Sequence, residues 1–282
     1  MKGQSVDVSE TDCFMMASYF STLVSGAMDC IGYSEQSIIL RAKTFKEFYD
    51  ILSQHVEETF HMEIILAGSK SEGVVPYHAS DLDIMCILQS CIYVDQGQLE
   101  DKLTVIETYM KNCPSGYTKL RPLHIENTGI SLMLYLFSVY GISNGVLFLK
   151  SVALSEILLK YSDNFLHFYD GYNGVNKSLS GPALAITYQP SVVMDVQQSN
   201  VYSDQVLAIR YYSSSIMQEW AERNRQFDWP PPDVIEDVST TEGYVVPVGH
   251  KLSEGQSLEW RICFTTGECK LVASFNATQL KL

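Results

Sequence analysis

The sequence predicts a mixed α+β fold. Helical periodicity dominates the N-terminal sixty residues, short β-patterned runs follow, and the two kinds of segment fall in separate runs rather than in strict alternation. At 282 residues, 46% of them hydrophobic, the chain buries a large core. We expect a single domain over 1–282, with N-terminal helices over 1–60 and a core over 61–282.

The elements follow in order. Residues 11–32, rich in Ala, Ser, Met and Leu, read as a helix. Phe45, Phe48, Tyr49, Leu52 and Val56 repeat on one helical face, with Thr44 as expected N-cap and Glu47 completing a capping box. Strand patterns occupy 62–67 and 83–89. Leu99, Leu103, Ile106 and Met110 suggest an acidic helix over 97–111, stopped by Cys113-Pro114-Ser115-Gly116, and 117–124 reads as a strand. The most apolar stretch, Leu132 to Leu149, is broken by Ser138, Gly141 and Ser143, and Asn144-Gly145 makes it a hairpin rather than a membrane span. Val146–Tyr161 reads as a helix or a strand plus helix, and 163–200 as polar loop. A strand at 205–210 and a helix at 215–226 come next, the helix ended by Trp229-Pro230-Pro231-Pro232. Strands are expected at 244–248 and 258–265.

One stretch carries chemistry. Gly68-Ser69-Lys70-Ser71-Glu72-Gly73 leaves the apolar run 64–67, and Asp81-Leu82-Asp83 opens the next apolar segment. On a strand, residues i and i+2 share a face, so Asp81 and Asp83 aim two carboxylates at one point. Magnesium is held by one or two carboxylates together with substrate phosphates. The Gly-Ser turn offers backbone N–H groups to a triphosphate, and Gly68 has no Cβ to block close approach. Turn, fixed gap and paired aspartates together describe a nucleotidyltransferase site, with 74–80 as a loop able to close over phosphates.

Gly68-Ser69-x-x-Glu72 with Asp81-x-Asp83-x-Met85 resembles the catalytic signature of the cyclic GMP-AMP synthase and male-abnormal-21 (Mab) family of nucleotidyltransferases. Gly181-Pro182-Ala183, the run Asp204–Arg210, Trp220 with Arg223 and Arg225, Trp229-Pro230, Val245–Gly249 and Glu259–Phe264 recur in the family's order, from Phe45 onward. The resemblance implies a twisted central sheet flanked by helices, two Mg²⁺ ions (with Mn²⁺ as an alternative), ATP and GTP as substrates, and a cyclic dinucleotide product in innate immune signalling. It also implies a further C-terminal helical lobe, which is not seen before the chain stops at Leu282.

Two-metal phosphoryl transfer needs a third acid. Asp195 sits in a polar tract, whereas Asp204 opens the strand pattern Val206–Ile209 and matches the family's third position better, so Asp204 is chosen beside Asp81 and Asp83 as a catalytic and metal-binding residue. Gly68 and Ser69 are the candidate triphosphate cradle. The resemblance implies that Arg261, Cys263 and Thr265 line the donor or acceptor nucleotide, with Glu268 nearby. Cys263 and Thr265 replace serines common in the family; Thr265 keeps the hydroxyl. A salt bridge from Arg261 to Glu259 or Glu268 is the alternative to a ligand contact. Trp220, Trp229 and Trp260 read as core anchors.

Charge and cysteines bound the partners. The net charge of −14 argues against nucleic acid as a general partner, and only weakly admits a double-stranded activator. It also disfavours a templateless RNA polymerase. Seven cysteines without a CxxC pair and a polar N-terminus predict reduced thiols, a cytoplasmic or nuclear location, no membrane and no zinc. The sequons at Asn176 and Asn276 would then go unused. The rival to enzymatic function is a catalytically inactive Mab-type interaction or developmental scaffold protein.

Overall fold

The computed structural model describes residues 10–60, 62–72, 81–88, 91–93, 104–124, 140–153, 155–156, 159, 172–190, 201–212 and 214–275. The architecture is mixed α/β, with one large, mostly antiparallel sheet and several helices. No described helix is long and apolar enough to cross a membrane.

Helix α1 (Glu10–Met28) passes through one π-helical turn (Asp29–Tyr33) into α2 (Glu35–Phe60). Gly32 at φ +97° makes the bend, and Arg41 donates to its carbonyl. The expected cap at Thr44 and Glu47 is wrong. Ser34 caps α2 instead, its hydroxyl accepting from Ser37 N at 3.2 Å, ten residues before the expected cap. Thr44 lies mid-helix, donating to Leu40 O, and Glu47 pairs with Lys43.

Strand β1 (Met62–Ala67) runs into the single-turn helix α3 (Gly68–Ser71). The strands β2 (Leu82–Leu88), β3 (Cys91–Tyr93), β4 (Thr104–Tyr109) and β5 (Tyr117–His124) follow. The expected helix over 97–111 is thus a strand over Thr104–Tyr109, followed by a turn at 111–112, and 97–103 lie outside the described residues. Thr104, Val105, Ile106, Thr108 and Tyr109 are β-branched or aromatic, and that preference overrides the helical spacing of Ile106 and Met110.

Asn144 (φ 53°) and Gly145 (φ 77°) form the two-residue turn between β6 (Tyr140–Ser143) and β7 (Val146–Leu149), as expected. A helical turn follows at 151–153. The polar segment 163–200 is not all loop. It holds a second hairpin, β8 (Tyr172–Ser180) and β9 (Ala183–Pro190), turned by Gly181 at φ +61°. Leu184 and Ile186, both buried, carry the period-two signal that the polar composition obscured. Asp195 and its neighbours lie outside the described residues.

The long strand β10 (Val201–Tyr211) leads to α4 (Ser214–Ala221), which is shorter than expected because Arg225 turns back to donate to Trp220 O and Ala221 O. Pro232 starts α5 (Pro232–Ser239), a helix not read from the sequence. The chain then forms β11 (Gly243–Val246), β12 (Glu259–Cys263) and α6 (Thr265–Ala273). The expected strand over 258–265 therefore ends at Cys263, and Thr265 begins a helix.

The sheet order is β1-β2-β10-β11-β12-β5-β4-β3, with β9 also bonded to β10 and β8 to β9. Period-two alternation gives each central strand two buried faces. One face carries Ile64, Leu66, Ile84, Cys86, Leu207, Ile209, Val245 and Trp260, with Val56 of α2 packed among them. The other carries Met85, Ile87, Ala208, Tyr244 and Val246. Tyr49 of α2 donates its hydroxyl to Ile64 O, covering part of the β1 edge. Arg210 reaches over β2 to Glu63 and also pairs with Glu242, closing the far end of the second face.

Ile87 is fully buried in the smaller core. Ile87→Ala is expected to lower unfolding stability by about 2–5 kcal/mol, read as a reduced urea midpoint with unchanged slope.

Candidate active site

β10 decides the geometry. One of its edges bonds β2 in parallel over Ser203–Ala208. The other edge bonds β9 over Val201–Gln205 and then β11 over Ile209–Tyr211. Where β9 and β11 part, the sheet forks and a cavity of about 540 Å³ opens. Pro182 and Ala183 line it from the β9 side, Val246 and Val248 from the β11 side.

The carboxylates stand at the floor of this cavity. Asp83 and Asp204 are direct register partners on adjacent parallel strands, and both line it. Met85 and Val206, two residues further along each strand, extend the same face as an apolar floor. Asp81 is exposed, one residue before β2 begins. Its charge still reaches Asp204, whose carboxyl is pushed above the ordinary value first by burial and then by Asp81.

Gly68 stands against Asp83. At φ +73° it tolerates a conformation disfavoured for other residues, and a side-chain carbon there would overlap the Asp83 carboxylate. Ser69 is half-buried in α3 beside it, and Ser71 closes that turn on Gly68 O at 2.7 Å. Glu72 follows, its carboxyl raised by burial and then by Glu268.

The opposite wall comes from β12 and α6. Arg261, Cys263, Thr265 and Glu268 all line the cavity. Burial pushes the Cys263 thiol up, against the pull of the Arg261 guanidinium. Thr265 is buried at the first turn of α6, a helix whose N-cap, Phe264, supplies no side-chain acceptor. The uncapped N–H groups and Arg261 make this wall a donor surface facing two aspartates. Glu259, the expected alternative partner of Arg261, is fully buried and accepts from His250 N and the Ser253 hydroxyl, fastening the loop that follows Val248.

Eight of the nine candidate residues belong to or directly adjoin this cavity; Asp81 stands outside its lining and acts on it through charge. The sequence reading missed Val206, Val246 and Val248 as lining residues. Val206 was accessible from the period-two rule applied to Asp204; the two others depend on the fork. An all-oxygen donor set of Asp81, Asp83 and Asp204 suits a hard divalent cation. Among the described residues, however, no three acidic, His or Cys side chains are drawn close enough to hold one. The chemistry of the donors fits Mg²⁺, while their present arrangement is looser than a closed ligand cage.

Neither protein-family models nor curated proteins give a match to this chain.

Because folding raises the Asp204 pKa, the folded state holds that proton more tightly than the unfolded chain does, and stability falls as pH rises from the ordinary carboxylate range through the raised value. In chelator-containing buffer, Asp204→Asn is therefore expected to melt at a higher temperature than the parent at neutral pH. The difference should vanish below the carboxylate range. Equal melting curves at neutral pH would contradict this assignment.

Proposed function

We propose that this chain is a Mg²⁺-dependent nucleotidyltransferase resembling the cyclic GMP-AMP synthase-like receptors, joining ATP and GTP into a cyclic dinucleotide in the cytoplasm or nucleus. The supporting observation is the register pairing of Asp83 with Asp204 on the floor of a cavity whose far wall carries Arg261 and the N-terminus of α6.

Asp81, Asp83 and Asp204 would hold the divalent ions, which when bound neutralise phosphate charge and align the reacting oxygens. Gly68 allows the chain to approach a triphosphate closely, and the backbone of α3 beside it directs the phosphates toward Asp83. Arg261 and the first N–H groups of α6 supply donors for the acceptor edges of a nucleotide, while Glu268 supplies an acceptor for its N–H groups. Asp204, the register partner of Asp83, would place the attacking ribose hydroxyl beside one of the ions and accept its proton. The hydroxyl oxygen bonds the α-phosphorus, the α–β phosphoanhydride bond breaks, and pyrophosphate leaves with the electron pair. A second transfer of the same kind closes the ring.

The competing interaction-protein reading has in its favour the uncovered apolar side chains of α1. Turnover separates the two. With ATP, GTP and Mg²⁺, mass spectrometry is expected to find a nucleotide-joined product, reduced at least a hundredfold in Asp83→Asn and in Asp204→Asn. Nucleotide should raise the melting temperature only when Mg²⁺ is present. Product formation undiminished in both variants would remove these residues from the mechanism; no product and no Mg²⁺-linked shift would favour the scaffold.

A further inference from the structure

We propose that Tyr117, held by His250 at the rim of the cavity, is a stacking platform for the base of a bound nucleotide. The proposal rests on the nucleotide reading of the cavity and adds a base subsite to it.

Cross-strand register carries the argument. Val246 of β11 stands opposite Arg261 of β12, and Arg261 stands opposite Tyr117 of β5. Directly opposed residues on antiparallel strands share a face, with Cβ atoms about 5 Å apart. Val246 and Arg261 both line the cavity. The row therefore leaves the cavity through Arg261 and reaches Tyr117. In the sheet, β5 lies three strand spacings from β10, about 14 Å. Its tyrosine serves the end of a ligand remote from phosphates held at Asp83 and Asp204.

The ring is fixed before any ligand arrives. Tyr117 opens β5 directly after Gly116, whose φ of +78° turns the chain. Tyr117 N donates to Pro114 O at 3.1 Å, and Ile262 N donates to Gly116 O at 2.9 Å, which ties the turn to β12. His250 meets the tyrosine ring edge to face, with 5.3 Å between centroids and 89° between planes. His250 is itself anchored twice. Its backbone N donates to Glu259, and its Nδ1 accepts from Leu252 N at 3.3 Å. With Nδ1 an acceptor, the ring N–H sits on Nε2. Tyr117 is half-buried and belongs to neither described core, so its rigidity answers no packing need of the sheet.

Chemistry selects the ligand. Every nucleobase presents a flat π-face, and an aromatic side chain stacks on it whichever base it is. The Arg261 guanidinium, on the neighbouring strand, donates to the nitrogen and oxygen acceptors along a base edge. A platform already immobilised by His250 loses little freedom when a base settles on it. Ring and guanidinium on one wall, with carboxylates on the floor, suit a ligand that is a planar base at one end and a metal-bound polyphosphate at the other.

Calorimetric titration of the full chain with ATP and with base-free ribose 5′-triphosphate, each with Mg²⁺, tests the platform. The parent is expected to bind ATP about tenfold more tightly, the worth of one stacked base. Tyr117→Ala and Tyr117→Leu should bring ATP down to the level of ribose triphosphate. Affinity for ribose triphosphate should stay unchanged in both, which also shows that the fold and the phosphate end are intact. Tyr117→Phe keeps the ring and should keep the preference. A preference that survives Tyr117→Leu overturns the platform and spares the nucleotide reading. The same holds for an equal loss of both ligands, or for a parent that binds the two alike. A parent that binds neither ligand overturns the platform and the nucleotide reading together.

Discussion

The parallel pairing of β2 with β10 is the constraint on which the molecule depends. These strands come from segments separated by more than a hundred residues, so their register cannot be set by a turn. It is set by burial. Leu82, Ile84, Cys86 and Leu88 alternate toward one core, Met85 and Ile87 toward the other, and β10 repeats the arrangement with Leu207 and Ile209 against Ala208. A slip of one residue would exchange the two faces of β10 and turn Asp204 into the apolar core. The same hydrophobic pattern that fixes the sheet thereby brings Asp204 level with Asp83.

The second consequence is the fork. An eleven-residue strand is long enough to serve two antiparallel neighbours on one edge, and β9 and β11 leave a gap where they meet. Neither hairpin fills it, since the β8–β9 turn stops at Gly181-Pro182 and β11 ends at Val246. The cavity is therefore a product of strand lengths, while its chemistry comes from side chains that alternation delivers to one face. Behind it, the fully buried Glu259 holds His250 N and Ser253, fixing the segment just beyond Val248. A buried carboxylate is tolerable there because its oxygens are met by donors.

Legibility in the sequence followed the range of the interactions. The local signals are plain: the apolar runs of β1 and β2, the Asn144-Gly145 turn, and the Gly68-Ser69 and Asp81-x-Asp83 motif. The choice of Asp204 rests on two readings, a strand start held more rigidly than a polar tract and a closer match to the third acidic position of the family the sequence resembles. What escaped was decided by pairing. Thr104–Tyr109 looks helical by the spacing of Ile106 and Met110, yet becomes a strand because β5 bonds it. Tyr172–Pro190 looks like polar loop because one face of its hairpin is wet, and among the described side chains Leu184 and Ile186 mark the buried side, with Val175 packed against the same core. Thr265 reads as strand because no residue at 264 announces a helix cap, and Phe264 indeed provides none. The start of α2 escapes for the opposite reason: Ser34 is an ordinary cap, but the regular apolar face begins eleven residues later, at Phe45.

Under the proposed function, the charge of the cavity bears on the order in which ligands would enter. Asp83, Asp204 and Glu268 line it, and Asp81 and Glu72 stand beside it, against Arg261 alone among the lining residues with positive charge. A bare triphosphate approaching such a surface meets repulsion from each of these acids, and the low dielectric that raises Asp204 and Glu72 strengthens it. The first N–H groups of α6 supply partial positive charge at one wall only. Under the proposed function a polyanion would therefore enter with its charge already offset by divalent cations. Cations held by Asp83 and Asp204 would offset the carboxylate crowding that folding imposed, so that ligand entry and tightening of the acidic cluster would be one event.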